Sequence, residues 1–498
     1  MASALTSPYK DDTLAEVVPN VAKIAGKLAQ SSVITDRRRV RIVPQSGQTY
    51  TLGTGGTGTV NFLIQDGQAY ADLQTANISF TVAIQGAAAA NTSILDDGAW
   101  SVFRRLLVSV NSTQADDIDR VAVRANQEIY STCSQSWYDG PGSLMGLWKH
   151  SLNGIATAVA TNPVGKDVVA SKYNPLVKAL TEPSASQGVT EAKTRYSFPV
   201  SLLSHFFRSE MLFPCRNAGQ LYIQLQLASA AEAAFSFVSA TGVAAAAPTV
   251  TISDVTLEMD YVTLHPSYLE MMDKLMADPQ EDGVMWAYDA HTVGSGTLVA
   301  AGGDQSVVYT KASQNLRSIH VVAQSQAAGS ATGAFGNQST FSNPGCQNIQ
   351  TRAGSLYFPA FQSIGNARMA MDLFESYGSP AAVDKASIVD NNNYNAYSEP
   401  AAAALTAAST VSTDGALAVG LNQRANSDCW AWGYCYDRLK RAKLEGADLD
   451  GINTLSTSGS QIVVQIGTAA LPSAAVLTGI LRYTRILKLH GGATQILG

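Results

Sequence analysis

Residues Thr251 to Asp278 read TISDVTLEMDYVTLHPSYLEMMDKLMAD, and their period changes in mid-course. Up to His265 the spacing is two. Val255, Leu257, Met259 and Tyr261 fall on one face, with Thr256, Glu258 and Asp260 on the other, as in a half-buried strand. After Pro266 the spacing becomes three and four, so Tyr268, Leu269, Met272, Leu275 and Met276 make one stripe of a short helix. Proline suits the first helical turn, where its missing N–H costs nothing. A strand that closes one unit and runs into a connector helix divides the 498 residues into halves of similar length. The expected organisation is an arm at 1–38, a β unit at 39–265, a connector at 266–282 and a second β unit at 283–498.

Working outward, the first unit reads as strands separated by polar turns. Val40-Arg41-Ile42-Val43 alternates briefly, Val60 to Ile64 follows a glycine-rich turn, and Ile78, Phe80, Val82 and Ile84 alternate with small polar residues. Leu106 to Val110 is a strand and Asn111-Ser112-Thr113 a turn. Ile118, Val121, Ala125 and Ile129 then mark a helix, with Asp116 and Asp117 near its positive N-terminal end. Tyr196 to Val200 resumes the sheet, Leu202, Leu203, Phe206 and Phe207 suggest a helical turn, and Leu221 to Leu227 is a strand. In the second unit, Val284 to Tyr288, Ser306 to Tyr309, Ile319 to Val322, Cys429 to Tyr436, Gln461 to Ile466 and Val476 to Leu489 read as strands. The stretches 138–194, 324–365 and 378–424 read as long loops of the kind that carry interfaces. The halves also echo each other: Gln220 to Ala228 (QLYIQLQLA) resembles Gln461 to Ala469 (QIVVQIGTA). Each is followed by a strand ending in Leu-His, at 264–265 and 489–490, which points to a duplicated unit.

Composition narrows the function. Only 14% of residues are charged, against about 25% in ordinary globular proteins. Such a surface is suited to burial against copies of itself or other proteins. The net charge of −6 gives no footprint for nucleic acid. The local run Arg37, Arg38, Arg39 and Arg41 reads as a solvated strand entry rather than a phosphate site. The five cysteines, Cys133, Cys215, Cys346, Cys429 and Cys435, are scattered, so a disulfide or metal framework is not expected and a reducing compartment fits. The start lacks a signal-peptide plan, and no apolar run reaches the roughly 18 residues of a membrane span. At 13–32, Leu14, Val17, Val21, Ile24 and Leu28 repeat at helical spacing, giving a modestly amphipathic arm that packs as an ordinary helix or lies against a membrane or a neighbouring subunit.

Gly53-Thr54-Gly55-Gly56-Thr57-Gly58 fits a dinucleotide fingerprint, but a strand follows where the phosphate-binding helix is required. His150, His205, His265, His291, His320 and His490 have no second ligand at metal spacing. Asp448 and Asp450 precede Gly451 without the rest of a calcium loop. No catalytic, cofactor-binding or metal-binding residue is assigned, no cofactor is expected, and the chain reads as a non-enzyme.

The order of these blocks resembles the double jelly-roll major capsid proteins of double-stranded DNA viruses, of the polinton-like virus, virophage and giant-virus lineage. The blocks are Leu106 to Asn111 followed by Ala115-Asp116-Asp117-Ile118; Phe198-Pro199-Val200, Met211-Leu212-Phe213-Pro214 and Gln220 to Ala228; Ile252 to Glu270; and Tyr357-Phe358-Pro359, Gly451-Ile452-Asn453-Thr454 and the closing strands. They span about residues 39–490. The resemblance implies an all-β fold with short helices, made of two consecutive eight-stranded antiparallel jelly rolls. It also implies a homotrimeric, pseudo-hexagonal capsomer that tiles an icosahedral shell. Its partners would be copies of itself, penton and minor capsid proteins and, through the N-terminal arm, an internal membrane. Its location would be the virion, after synthesis in the host cytoplasm or nucleus. The alternative is a jelly-roll carbohydrate-binding (lectin-like) or receptor-attachment protein. Trp137, Trp148, Trp430 and Trp432 would then be candidate sugar-stacking residues.

Overall fold

The computed structural model describes residues 34–52, 58–85, 91–95, 98–142, 144–147, 191–209, 211–229, 235–239, 249–277, 284–325, 341, 343–377, 389, 394, 429–436, 451–455, 461–470, 474–490 and 493–497. The helix expected at 13–32, and most of 138–194 and 378–424, lie outside them.

Alternation along the chain builds the first sandwich. Its strands are β1 (Ile34–Ile42), β2 (Tyr50–Thr51), β3 (Thr59–Ile64), β4 (Tyr70–Gln85), β5 (Asn91–Leu95), β6 (Phe103–Val110), β7 (Thr113–Asp119), β8 (Glu191–Pro199), β9 (Leu221–Leu227), β10 (Phe235–Ser239) and β11 (Thr249–Leu264). Helix α1 (Val121–Thr132) follows β7. One sheet runs β1-β11-β4-β8 and the other β3-β9-β6-β7, with β5 and β10 paired as a separate ribbon. The opening stretch behaves as its period requires. Val255, Leu257, Met259 and Tyr261 are all buried in β11, and helix α2 (Pro266–Ala277) begins at Pro266.

The second sandwich repeats the plan. Its strands are β12 (Val284–Leu298), β13 (Gly303–Thr310), β14 (Leu316–Ser325), β15 (Cys346–Ala353), β16 (Leu356–Ile364), β17 (Ala431–Cys435), β18 (Gln461–Thr468) and β19 (Ala475–His490), with helix α3 (Asn366–Ser376) after β16 and a last strand β20 (Ala493–Leu497). The sheets run β12-β19-β14-β17 and β13-β18-β15-β16, and β20 adds to β19. Strand for strand, β12, β13, β14, β15, β16, β17, β18 and β19 occupy the places of β1, β3, β4, β6, β7, β8, β9 and β11. Every strand pairing among the described residues is antiparallel, and the eight principal strands of each sandwich alternate between facing sheets except at the hairpins β6–β7 and β15–β16, as in a jelly roll. The echo read in the sequence falls on β9 and β18, each hydrogen-bonded between the counterpart neighbours of its sheet.

Two expectations are corrected. Asp116 and Asp117 belong to β7, and the helix starts only at Val121, after Arg120 turns the chain in a left-handed conformation (φ 48°). A bulge between Val108 and Ser109 leaves Ala115 extra, so Ala115 and Asp116 are both buried and the alternation that marks a strand is lost. The loop expected at 324–365 contains the hairpin β15–β16, closed by Gly354-Ser355 with Gly354 at φ 61°. Here too a bulge, between Ile349 and Thr351, breaks the period.

Apolar contact unites the two sandwiches. Phe206 lies tilted against Trp286 and meets Tyr288 edge-on, with ring centroids 5.6 and 5.0 Å apart, and Phe213 meets Trp286 at 5.7 Å. The buried residues of both sandwiches form one continuous cluster. Full burial of each large side chain contributes about 1.5–3 kcal/mol.

Candidate functional site

Beside that aromatic contact lies a cluster of buried charges drawn from both sandwiches. Helix α1 carries Arg124, Gln127 and Glu128 on successive turns. The short turn His205–Arg208 supplies two more groups. From the second sandwich, β12 contributes Asp289 and His291, β14 contributes Arg317 and His320, β19 contributes Arg482, and Tyr377 lies just past α3.

Two carboxylates organise it. Glu128 accepts from Arg124 Nη2 at 2.6 Å and from Arg208 Nη1 and Nη2 at 2.6 and 3.1 Å, with His205 Nε2 at 2.9 Å. Asp289 accepts from Arg317 Nη1 at 3.1 Å and from Arg482 Nε at 2.8 Å, and His205 Nδ1 lies 3.7 Å away. His205 therefore sits between a carboxylate of each sandwich. Its ring meets that of His291 edge-on at 4.6 Å. Arg124 is fully buried and also donates to the carbonyls of Leu202 and Leu203 at 2.9 and 3.3 Å. Across the junction, Tyr377 Oη donates to Gln127 Oε1 at 2.7 Å and stacks on His320 at 4.5 Å. Further out, Tyr288 Oη and Arg485 Nη1 donate to the Ala115 carbonyl at 2.5 and 2.7 Å.

The electrostatics follow from burial and pairing. Burial raises the Glu128 and Asp289 carboxyls, but the adjacent arginines and His205 outweigh it and hold both well below the ordinary range. Burial, then Arg124 and His205, hold the His291 imidazole well below its usual value. Burial and the nearby Arg482 bring His320 down to about 3. Both rings are neutral at pH 7. The remaining void among these groups is about 10 Å³, the volume of a single water. A substrate has no room there, and the acids and bases are committed to one another. The cluster works as an electrostatic clamp between sandwiches.

The other residues singled out in the sequence are placed as follows. Arg37 pairs with Asp72 and Asp260, Arg39 with Asp260, Arg38 with Asp66 and Arg41 with Glu258, so the arginine run is neutralised by its own sheet. Trp430 and Trp432 are fully buried and Trp137 is partly buried against the core, which removes them as sugar platforms. Trp148, His150, Asp448, Asp450 and residues 53–57 lie outside the described residues. His265 Nδ1 accepts from the Ser267 N–H at the start of α2. All five cysteines are free thiols. Among the described residues, no group of three or more His, Cys, Asp and Glu side chains is placed to hold a metal. The clamp was not foreseen, because its members come from six separate segments. The one local sign was a histidine inside an apolar strand, His320 between Ile319 and Val321.

No protein-family model and no curated protein matches the sequence. Solved structures do match in shape. The Faustovirus major capsid protein is 10% identical, with a TM-score of 0.53 over 96% of this chain and 98% of its own. A chain of the PBCV-1 virus capsid is 10% identical, with a TM-score of 0.52 over 94% and 98%. A chain of the Sputnik virophage structure is 10% identical, with a TM-score of 0.50 over 94% and 89%. The fold is a double jelly roll. Both jelly rolls of the neighbours are spanned, so the likeness covers the duplicated architecture as a whole.

Proposed function

We propose that this double jelly-roll chain is a structural major capsid protein, with three copies forming a pseudo-hexagonal capsomer that tiles an icosahedral shell. The observation that carries the proposal is the strand-for-strand repetition of one sandwich within one chain. Three copies then place six similar sandwiches around a threefold axis, giving a hexagonal outline from a trimer. The scarcity of charge suits a molecule whose flanks are covered by its neighbours. In this reading the first jelly roll runs from β1, which starts at Ile34 rather than at 39, to 265, the second is 283–498, 266–282 is their connector, and the residues before β1 are an arm on the inner side of the shell. The role is structural rather than enzymatic, and the protein resides in the virion. Penton and minor capsid proteins are its further partners, and the arm is the segment that would meet an internal membrane.

Light scattering coupled to size-exclusion chromatography, with negative-stain microscopy of the same fractions, tests this. The expected result is a particle of three chains with a six-lobed outline, or closed shells. A species that stays monomeric at all concentrations overturns it.

A further inference from the structure

The junction within the chain has a lopsided consequence for its two ends. The first sandwich presents β7 and α1; the second covers β7 with β12 and β20, and reaches α1 through His291, Tyr377 and Phe341. Accordingly α1 is buried on every side from Val121 to Ser131, and Ala115, Asp116 and Ile118 of β7 are buried too. The counterparts of these elements in the second sandwich are β16 and α3, and among the described residues β16 and one face of α3 are uncovered. Leu356 is 58% exposed, Phe361 87% and Ile364 70%, and Met371 of α3 is 37% exposed. At the opposite end, β12 buries Trp286, Tyr288 and Ala290, while its counterpart β1 is exposed over its first six residues. One end of the chain thus lacks the cover that β12 provides, and the other lacks the surface that β7 and α1 provide.

The apolar strip on β16 is built rather than loose. Where β15 and β16 lose register, buried Gln350 donates to the Pro359 carbonyl at 2.8 Å and the Ala360 carbonyl at 3.4 Å, which fixes the bulge that displays Phe361. On the next turn of chain Ser363 donates to the buried carboxylate of Asp372 in α3. A rigid apolar knob loses little entropy on docking.

We propose that β16 and the open face of α3 dock on β1 of a second copy of this chain, head to tail, repeating between chains the contact that β7 and α1 make with β12 within one. The inference rests on the trimeric reading and names its interface. Such a contact is heterologous, and with two sandwiches per chain it closes after three copies. The β1 arginines do not oppose it, because their charges are already matched by Asp72, Asp260, Asp66 and Glu258.

Native mass spectrometry of three proteins tests it: the wild type, a β16 variant (Phe361→Asp with Ile364→Asp) and a β1 variant altered at the first residue of the strand and the residue just past its end (Ile34→Asp with Val43→Asp). All four positions are exposed, and circular dichroism checks that each variant is folded. Each variant alone should be monomeric where the wild type is trimeric. Mixing them should give a heterodimer and no trimer, since one intact contact can form between an unaltered β16 and an unaltered β1. Phe361→Ala, the milder change, should raise the concentration for half-dissociation by at least about tenfold. A folded β16 variant that remains trimeric overturns the docking surface while leaving the trimer intact, and assigns the strip to a different protein. A monomeric wild type overturns the capsomer reading itself.

Discussion

Removing the Glu128 charge tests whether the clamp joins the two sandwiches. Glu128→Gln keeps the side-chain shape and removes the charge that faces Arg124, Arg208 and His205. Arg208 is 38% exposed and can turn to water, but Arg124 is 1% exposed and cannot. The variant therefore leaves a buried guanidinium without a carboxylate partner, held by the Leu202 and Leu203 carbonyls and, at 3.4 Å, by His291 Nε2. Breaking a buried pair from one side costs about 3–5 kcal/mol. Because Gln retains some hydrogen bonding, about 2–4 kcal/mol is expected here. Arg124→Met should cost less, since Glu128 keeps Arg208 and His205 as partners. The double variant should cost less than the sum by about 1–3 kcal/mol, because neither charge is then left alone. Urea unfolding of the four proteins, followed by tryptophan fluorescence, measures this, and Trp286 at the junction is a built-in reporter. A Glu128→Gln cost below about 1 kcal/mol, or strict additivity with Arg124→Met, would refute the clamp, since it would place the pair in the weak surface class.

Further outcomes follow from other parts of the molecule. His291 and His320 titrate below their unfolded values, so the unfolded chain binds more protons than the folded one in mild acid. Their stability contribution is complete above about pH 6.5 and is lost as pH falls towards the folded values, at up to about 1.4 kcal/mol per pH unit per group. Below about pH 4 the depressed Glu128 and Asp289 add their own loss. Urea midpoints at pH 7.5, 6 and 5 should fall in that order, and His320→Gln should flatten the slope; equal midpoints would sink the reading. Phe206→Ala empties the space against Trp286 and Tyr288 and should cost about 3–5 kcal/mol. Limited proteolysis of that variant should cut between the sandwiches first. Arg39→Ala removes a guanidinium that is 60% exposed from Asp260. Its cost should be small beside that of Phe206→Ala and shrink in high salt, and a loss as large as that of Phe206→Ala would contradict the placement of β1 on the surface.

How much of this could be read from the chain depends on whether the signal is local. Strands with unbroken alternation were legible. The β11–α2 boundary at Pro266 was too, and so was the pairing of the QLYIQLQLA and QIVVQIGTA segments that became β9 and β18. Other strands were not, β5, β10 and β20 among them; in β7 and the β15–β16 hairpin the cause is a bulge, where one extra residue shifts every later side chain to the opposite face. The exposed Phe361 looked like any loop aromatic until its bulge was seen pinned by Gln350.

Period, punctuation and internal echo were thus determined by the sequence itself, because each is a relation between residues a few positions apart or between two similar stretches. Which charges meet was decided only by tertiary structure. Glu128 and Asp289 are 161 positions apart in the sequence (289 − 128), and both reach His205 only because two independently patterned sandwiches pack flank to flank. The same packing covers α1 on every side and leaves one face of α3 exposed. No local pattern distinguishes those two helices, since the difference between them is what lies alongside.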